Sequence, residues 1–496
     1  MGNWPVYPII YEINTWAWLH DLTQNASHPV TLGSVPQAEL ERLAGFDFDA
    51  LWLMGVWQRS PRGREIAQRL PHLQAEYRRA LPDYTSEDVV GSPYSIFRYQ
   101  VDPALGGDEE LAALRERLGQ LGLRLILDFV PNHLAIDHAW VADHPDRLVQ
   151  GSPAQLQDGT NNYFQAQGRV FAHGRDPNFP GWTDTVQLDY RQPHVRRAMT
   201  DVLLAVAERC DGVRCDMAML ELRDVFLHTW GGVFDPPEAE FWSAAIAEVK
   251  RSSPGFLMVA EAYWDLEFEL QQMGFDYAYD KRLYDRLLED DVTLVWEHLR
   301  LASLEYQRRL VRFVENHDEQ RALAAFGPQR SHATAAVALT LPGMRLVHEG
   351  QMEGRRLKLP VQLGRRSVES SQPGMEPFYK QLLTALSHPI FHKGQWRLLE
   401  PEPAWPGNSS HGNFVAHSWA LSEDRRLVVA NLASGWSQCY VRLDWSDLAG
   451  QTWEVVDLLS EARYIRDGDD LLGRGLYLDV PGYGTHLFQL LQEEPQ

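Results

Sequence analysis

Arg214 and Asp216 stand two residues apart in GVRCDMAM, so on an extended strand their side chains share a face while Cys215 points the other way. A guanidinium that never titrates lowers the pKa of a carboxylate held beside it and keeps it anionic, as a nucleophile requires. Glu261 lies between Ala260 and Ala262 and follows FLMV, a setting in which desolvation would raise a carboxyl pKa and suit a general acid. One ionised and one protonated carboxyl across a bond is the arrangement that cleaves glycosides. Asp318, in RFVENHD, adds a third acid able to hold sugar hydroxyls and steady developing positive charge, and Asp128 ends the run LRLILD. His133 and His317 each follow an Asn and could donate hydrogen bonds to a polar, uncharged ligand. Taken singly, each acid reads as a loop cap or surface charge, Arg214 with Asp216 as a structural ion pair, and each His as a core residue. Their joint placement at the ends of four apolar runs is what points to chemistry.

Those runs belong to a longer series. VYPIIYEIN, FDALWLM, LRLILDF, GVRCDM, GFLMVAE, GFDYAYD, RLVRFVEN and MRLVHEG read as buried parallel strands. Segments such as DEELAALRERLGQLG, PHVRRAMTDVLLAVAERC and PEAEFWSAAIAEVKR lie between them with helical apolar spacing. Eight strands with interposed helices predict an α/β chain with a (β/α)8 TIM barrel, whose strand C-termini form the active rim. An open doubly wound sheet fits less well, because no glycine-rich dinucleotide turn is present. About 80 residues separate DFVPNH from GVRCDM, and the Gly-, Asn- and aromatic-rich stretch within them reads as an inserted subdomain. After about His392 the pattern changes to short alternating strands with Gly, Asp, Asn and Ser turns, an antiparallel β domain. The expected division is a catalytic barrel at 1–133 and 191–392, an insertion at 134–190, and a C-terminal β-sandwich at 393–496.

Composition narrows the partners. A formal net charge of −22 on 496 residues repels nucleic acid and anionic membrane surfaces, so a neutral substrate is expected. Three cysteines, Cys210, Cys215 and Cys439, form neither a disulfide framework nor a thiolate metal site. The opening MGNWPVYPIIYEINTW has no Lys or Arg and no long apolar core of a secretory signal, so a cytoplasmic protein is expected. Trp57, Tyr163, Phe164, Trp182 and Trp264 fall in strand-end loops or the insertion, where rings could stack on sugar faces.

DFVPNH, GVRCDMAML, AEAYW and FVENHD together resemble the four signature segments of the α-amylase family, glycoside hydrolase family 13, in the same order. SPYSIFRYQVDPALGG and WTDTVQLDY are also similar to that family, and the resemblance covers residues 5 to 392, with a family-like tail beyond. It implies a retaining α-glycosidase acting on α-linked gluco-oligosaccharides or disaccharides. Asp216 would be the nucleophile that forms a glycosyl-enzyme ester, Glu261 the acid and then base, and Asp318 the transition-state stabiliser. Arg214, His133 and His317 would complete the subsite for the reacting glucose, over a Tyr94 platform, with Trp57 and Trp264 as further sugar contacts. Asp128 and Asn132 would give structural support.

Met219 and Leu220 stand where many α-amylases carry a Lys-His pair, which weakens the expectation of endo-amylase specificity. Asn132 matches a position of the family's calcium site, and the change at Met219 and Leu220 does not by itself remove that site, yet no cofactor is expected and calcium is not favoured. GSPYSI, DHAWV and GWTDTVQLDY are similar to the branch with maltosyltransferases, so transfer to a sugar acceptor by the same mechanism is the alternative. Two further readings stay open: a metal-dependent barrel hydrolase using His133, His317, Asp128 and Asp318, and a non-catalytic sugar-binding member of the fold. Linkage, chain length and oligomeric state are not legible.

Overall fold

The computed structural model describes residues 4–492. All eight expected strands form: β1 (Ile9–Asn14), β2 (Ala50–Met54), β3 (Arg124–Phe129), β4 (Gly212–Cys215), β5 (Leu257–Ala260), β6 (Tyr277–Tyr279), β7 (Leu310–Arg312) and β8 (Met344–His348). They close into a barrel in which each strand lies beside its successor and β8 lies beside β1. The β2–β3, β3–β4, β4–β5, β5–β6 and β7–β8 pairs are parallel. Both faces of these strands are buried, which is why the sequence shows unbroken apolar runs rather than alternation. Gly212 opens β4 because a Cβ there would come 2.7 Å from Leu257 Cβ, so the close approach to β5 leaves no room for a side chain.

The helices expected between strands are present at Gly107–Gln120, Pro193–Ala207 and Phe241–Ser252. The second starts with Pro in its first turn and buries Val195, Met199, Leu203 and Val206 on one stripe. The first carries Asp108, Glu109 and Glu110 in its opening turn and Arg117 in its last, complementing the helix dipole.

By compactness the described chain divides into two units: one of Trp4, Tyr11–Tyr279 and Lys358–Val368, the other of Pro5–Ile10, Asp280–Leu357 and Glu369 onward. Within the first unit, the stretch after β3 pairs His133–Ala135 with Thr185–Gln187 and holds a hairpin of Tyr163–Ala166 and Arg169–Ala172. The hairpin turns at Gln167 and Gly168, both with positive φ, the left-handed turn that matches strand twist.

The same unit contains a long excursion after β2, with helices at Pro61–Arg69 and Pro71–Ala80. The strap Lys358–Val368 is clamped onto it. Val90 N–H donates to Gln362 O at 2.8 Å, and Gly364 N–H to Asp88 O at 2.8 Å. Arg365 reaches both Asp83 and Asp88, and Leu363 completes an apolar cluster with Ala67, Tyr77, Leu81 and Val89. Arg59 ties the strap to the turn before Tyr94 by donating to Val361 O and Gly91 O.

The second unit ends in two antiparallel sheets. Six strands run in the order Gln395–Leu399, Phe414–Leu421, Asp424–Asn431, Thr485–Gln492, Thr452–Asp457, Arg463–Asp467. Three others, Pro401–Pro403, Ser437–Val441 and Leu476–Val480, form the second sheet. Phe414, Leu427, Val429 and Phe488 of the larger sheet pack with Cys439, Val441 and Leu478 of the smaller, the core of a β-sandwich.

Candidate active site

Strand register assembles the acids of the first unit. Arg214 on β4 is the register partner of Asp128 on β3, so both side chains emerge on one face. Beyond the regular strands the ladder continues: Asp216 N–H donates to Phe129 O at 2.9 Å, and Glu261 N–H to Cys215 O at 3.0 Å. Since Cys215 pairs with Ala260, the next rung sets Asp216 beside Glu261.

One guanidinium then binds both. Arg214 Nη1 lies 2.8 Å from Asp216 Oδ1, and Nη2 lies 2.6 Å from Glu261 Oε2, with Asp128 Oδ1 at 3.8 Å from Nη1. All four residues are buried. The rings of Trp52, Tyr94 and Tyr279 stand over the guanidinium with their centroids 5.4, 5.1 and 5.9 Å from its carbon. Burial acts to lower the Arg214 pKa, but Glu261, the phenols of Tyr94 and Tyr279, and Asp216 outweigh it and hold it well above its usual value. Asp128 spends its oxygens on Trp52 Nε1 at 3.2 Å and Gly55 N–H at 3.1 Å, which fixes it as a brace beside Arg214.

Glu261 is not in the apolar setting expected from its neighbours in sequence. Oε2 accepts the Met217 N–H at 2.7 Å, and Oε1 accepts the Tyr263 hydroxyl at 2.7 Å. Ala260 and Ala262 alternate to the other face of the strand, so they do not surround the carboxyl. Met217 holds φ 45° and ψ 42°, the left-handed region, directly after Asp216. That turn is pinned from two sides, by Glu261 through Met217 N–H and by Trp242 Nε1, which donates to Ala218 O at 2.7 Å.

His133 is buried, its ring 5.0 Å from Trp182 and its Nδ1 3.3 Å from Asn132 Nδ2. Burial pushes its imidazole down to about 4, against a hydrogen bond to the Tyr94 backbone, so it is neutral at pH 7. Asn132 uses Oδ1 and its backbone O to accept Gln187 Nε2, both at 2.9 Å. Asn132, the residue matched to the family's calcium site, thus has its Oδ1 in a hydrogen bond with Gln187, and Met219 and Leu220 after Asp216 are buried. Among the described residues no group of three His, Cys, Asp or Glu is placed to hold a metal ion.

In the second unit His317 Nε2 lies 2.9 Å from Asp318 Oδ2. Asn316 Oδ1 accepts the N–H groups of Asp318 and Glu319 at 2.9 and 3.0 Å, a turn that leaves the Asp318 side chain 41% exposed and His317 buried.

The aromatic residues part ways. Trp264 is 42% exposed in a loop where it and Asp265 both have positive φ. Trp57 corrects the expectation of a sugar platform: it is 0% exposed, packs edge-on to Tyr99 and donates Nε1–H to Asp128 O at 2.8 Å. A ring without an open face cannot stack on ligand. Phe164 stacks on His173 within the insertion. Tyr263, Tyr279 and Trp52 were not anticipated. Tyr263 carried a signal, since it stands two residues from Glu261 and so shares its side of the chain.

The model of the α-amylase catalytic domain matches residues 38–358, well over half of the chain. Alpha-amylase MalA of Haloarcula japonica is 22% identical over 87% of this chain and 56% of its own length. Alpha-amylase 3 of Dictyoglomus thermophilum is 22% identical over 52% of this chain and 53% of its own. The chain thus spans about half the length of these curated relatives. The fold of a maltogenic α-amylase, AmyB of Thermotoga neapolitana, superposes with a TM-score of 0.70 at 18% identity, covering 98% of this chain and 99% of that one. With the barrel, the signature segments and the domain match in agreement, the chain belongs to the α-amylase family, glycoside hydrolase family 13.

Proposed function

We propose that the protein is a retaining α-glycosidase acting on α-linked gluco-oligosaccharides. The observation that carries this reading is the single rung holding Asp216 and Glu261 on adjacent strands, both bound by Arg214. Retention needs two carboxyls about 5–5.5 Å apart, and Asp216 and Glu261 are drawn together by bonding the two Nη atoms of one guanidinium. Asp216 attacks the anomeric carbon while Glu261 passes a proton to the departing glycosidic oxygen, leaving a glycosyl ester on Asp216. Glu261 then takes a proton from water, whose oxygen displaces Asp216 with a second inversion. Asp318, with His317 beside it, is assigned to the developing positive charge, and Tyr94, His133 and Trp264 to the sugar.

The reading keeps the division into barrel, insertion at 134–190 and sandwich at 393–496, although residues 1–3 and 493–496 lie outside the described chain. It includes no metal or cofactor, checked by unchanged turnover after dialysis against a chelator. Three free, buried cysteines favour a reducing, cytoplasmic home, and no described helix is long and apolar enough to cross a membrane. Cell fractionation tests that assignment.

Transfer to a second sugar is the alternative, with the acceptor hydroxyl in place of water. Met219 and Leu220 are buried where endo-acting members carry a polar pair, so the acceptor side differs from theirs. Incubation with maltooligosaccharides separates the two: products longer than the substrate mean transfer, only shorter ones hydrolysis. Asp216→Asn should lower kcat by about 10⁴-fold or more while the protein stays folded. Substantial remaining turnover would remove the assignment.

A further inference from the structure

RFVENHDEQRA places an acid, Glu315, three residues before Asp318 and a cation, Arg321, three residues after it, and neither enters the chemistry proposed above. Both are buried, at 1% and 5% exposure. Arg321 Nη2 lies 3.0 Å from Glu315 Oε1, while Glu315 Oε2 accepts the N–H of Ala322, the first residue of the short helix Ala322–Phe326, at 2.6 Å. One carboxylate thus ties together the two ends of the turn 316–320. Asn316 pins the interior of that turn, and Glu315 fixes its span.

The cation is seated as firmly as the acid. Arg321 donates from Nη1 to His348 Nδ1 at 2.8 Å and from Nη2 to Glu349 O at 2.7 Å, at the C-terminal end of β8. A Cβ on Gly350, whose φ is 82°, would come 2.6 Å from Arg321 Nη2, so the guanidinium rests on bare backbone. His348 is held in turn: its backbone N–H donates to Gln351 Oε1 at 3.0 Å, and Gln351 Nε2 donates to the Tyr379 hydroxyl at 2.8 Å. The turn that bears Asp318 leaves β7 and is indexed against its parallel neighbour β8 through Glu315 and Arg321.

We propose that Glu315 is a positioning residue for Asp318: when ionised it draws Arg321 across the turn and holds the Asp318 carboxylate where developing positive charge needs it. The inference rests on the role proposed for Asp318. Arg321 only donates, so His348 Nδ1 is the acceptor between them and the ring hydrogen sits on Nε2. That same Nδ1 lies 3.2 Å from Glu315 Oε1. A protonated Glu315 would therefore donate to Nδ1 in competition with Arg321, exchanging a charge-assisted clamp for a weaker neutral hydrogen bond. Burial raises the Glu315 pKa to about 7, against the pull of Arg321 and of the Ala322 N–H, so the exchange falls near neutral pH. The other titratable groups that sense this carboxyl are the phenols of Tyr284 and Tyr379, which burial keeps protonated through that range.

Glu315→Gln keeps the length of the side chain and an acceptor for the Ala322 N–H but removes the charge that holds Arg321. Steady-state kinetics on a maltooligosaccharide should show kcat down about ten- to a hundredfold with KM within about twofold, because Asp318 acts on the transition state. Wild-type kcat should fall as pH drops through 7, and the Gln variant should lose that limb. Arg321→Lys keeps the charge without the fork and should lower kcat in the same way, which serves should the Gln variant not fold. Wild-type kcat in either folded variant overturns the proposal, as does a loss confined to KM. Absence of the limb in the wild type, or its survival in Glu315→Gln, overturns it too. Asp318→Asn separates this inference from the assignment beneath it. If that variant retains turnover, the role of Asp318 falls and this inference with it; if it is inactive while Glu315→Gln is unimpaired, the positioning role alone is lost.

Discussion

Arg214 and Glu261 are joined more closely than Arg214 and its own strand neighbour: Nη2 to Oε2 is 2.6 Å, Nη1 to Asp216 Oδ1 2.8 Å. The forked cation is therefore a shared counter-charge for both acids rather than a partner of one. Removing it leaves the buried carboxyl groups of Asp216, Glu261 and Asp128 without the cation they share, so Arg214→Met should cost about 3–5 kcal/mol in urea unfolding. Arg214→Lys restores charge without the fork and should recover stability but leave kcat/KM down by about a hundredfold or more. Wild-type turnover in the lysine variant would contradict the role given to geometry.

Tyr263 gives Glu261 its other hydrogen bond, at 2.7 Å. Removing the partner of a buried hydrogen-bonding group costs about 1–3 kcal/mol. Tyr263→Phe should lower kcat by about ten- to a hundredfold with KM little changed, as steady-state kinetics on a maltooligosaccharide will read. A rise in KM alone would instead mark Tyr263 as a sugar contact.

His133 makes stability depend on pH in a defined direction. Its folded pKa is depressed by burial to about 4, so the unfolded chain binds the proton more readily. The contribution of the neutral ring is fully present above pH 6.5 and lost as pH falls through 4, about 3 kcal/mol at its limit. Burial pushes His138 to about 4 and His417 to about 3, and both act in the same direction. Urea midpoints measured from pH 7 to pH 4 should fall, and His133→Asn should reduce the slope. An unaltered slope would count against the buried neutral imidazole.

Glu221 closes the turn after Asp216 with no exposed surface, and neither carboxyl oxygen has a hydrogen-bond partner among the described residues. Burial first, then the Asp216 charge, raise its pKa well above the usual range. A raised folded value means its contribution is favourable at low pH and lost as pH rises. Glu221→Leu should therefore stabilise the protein by about 1–3 kcal/mol at pH 7 and by less at pH 4. Loss of stability at pH 7 would show that the carboxyl makes an unseen favourable contact.

The barrel was legible because a strand buried on both faces has no choice but an apolar run, and all eight runs became strands. Arg214 with Asp216 was legible for a related reason, since spacing of two on a strand fixes a shared face. Glu261 was misread in its surroundings: Ala260 and Ala262 are nearest in sequence but point away, and the groups that meet the carboxyl arrive from Arg214, Met217 and Tyr263. Trp57 was misread because a strand-end position does not fix exposure. Only the fold reveals that Asp128 and Tyr99 enclose that ring. No local pattern could show the strap, whose partners lie some 270 residues earlier.

That separation has a consequence during synthesis. Ala67, Tyr77, Leu81 and Val89 leave the ribosome long before Leu363, the residue that caps their cluster. At about 5–20 residues per second the wait is on the order of tens of seconds. Through that interval the nascent helices after β2 present a sticky face with its cover still untranslated. Chaperone demand for this chain should accordingly concentrate on an early-made segment waiting for a late-made one.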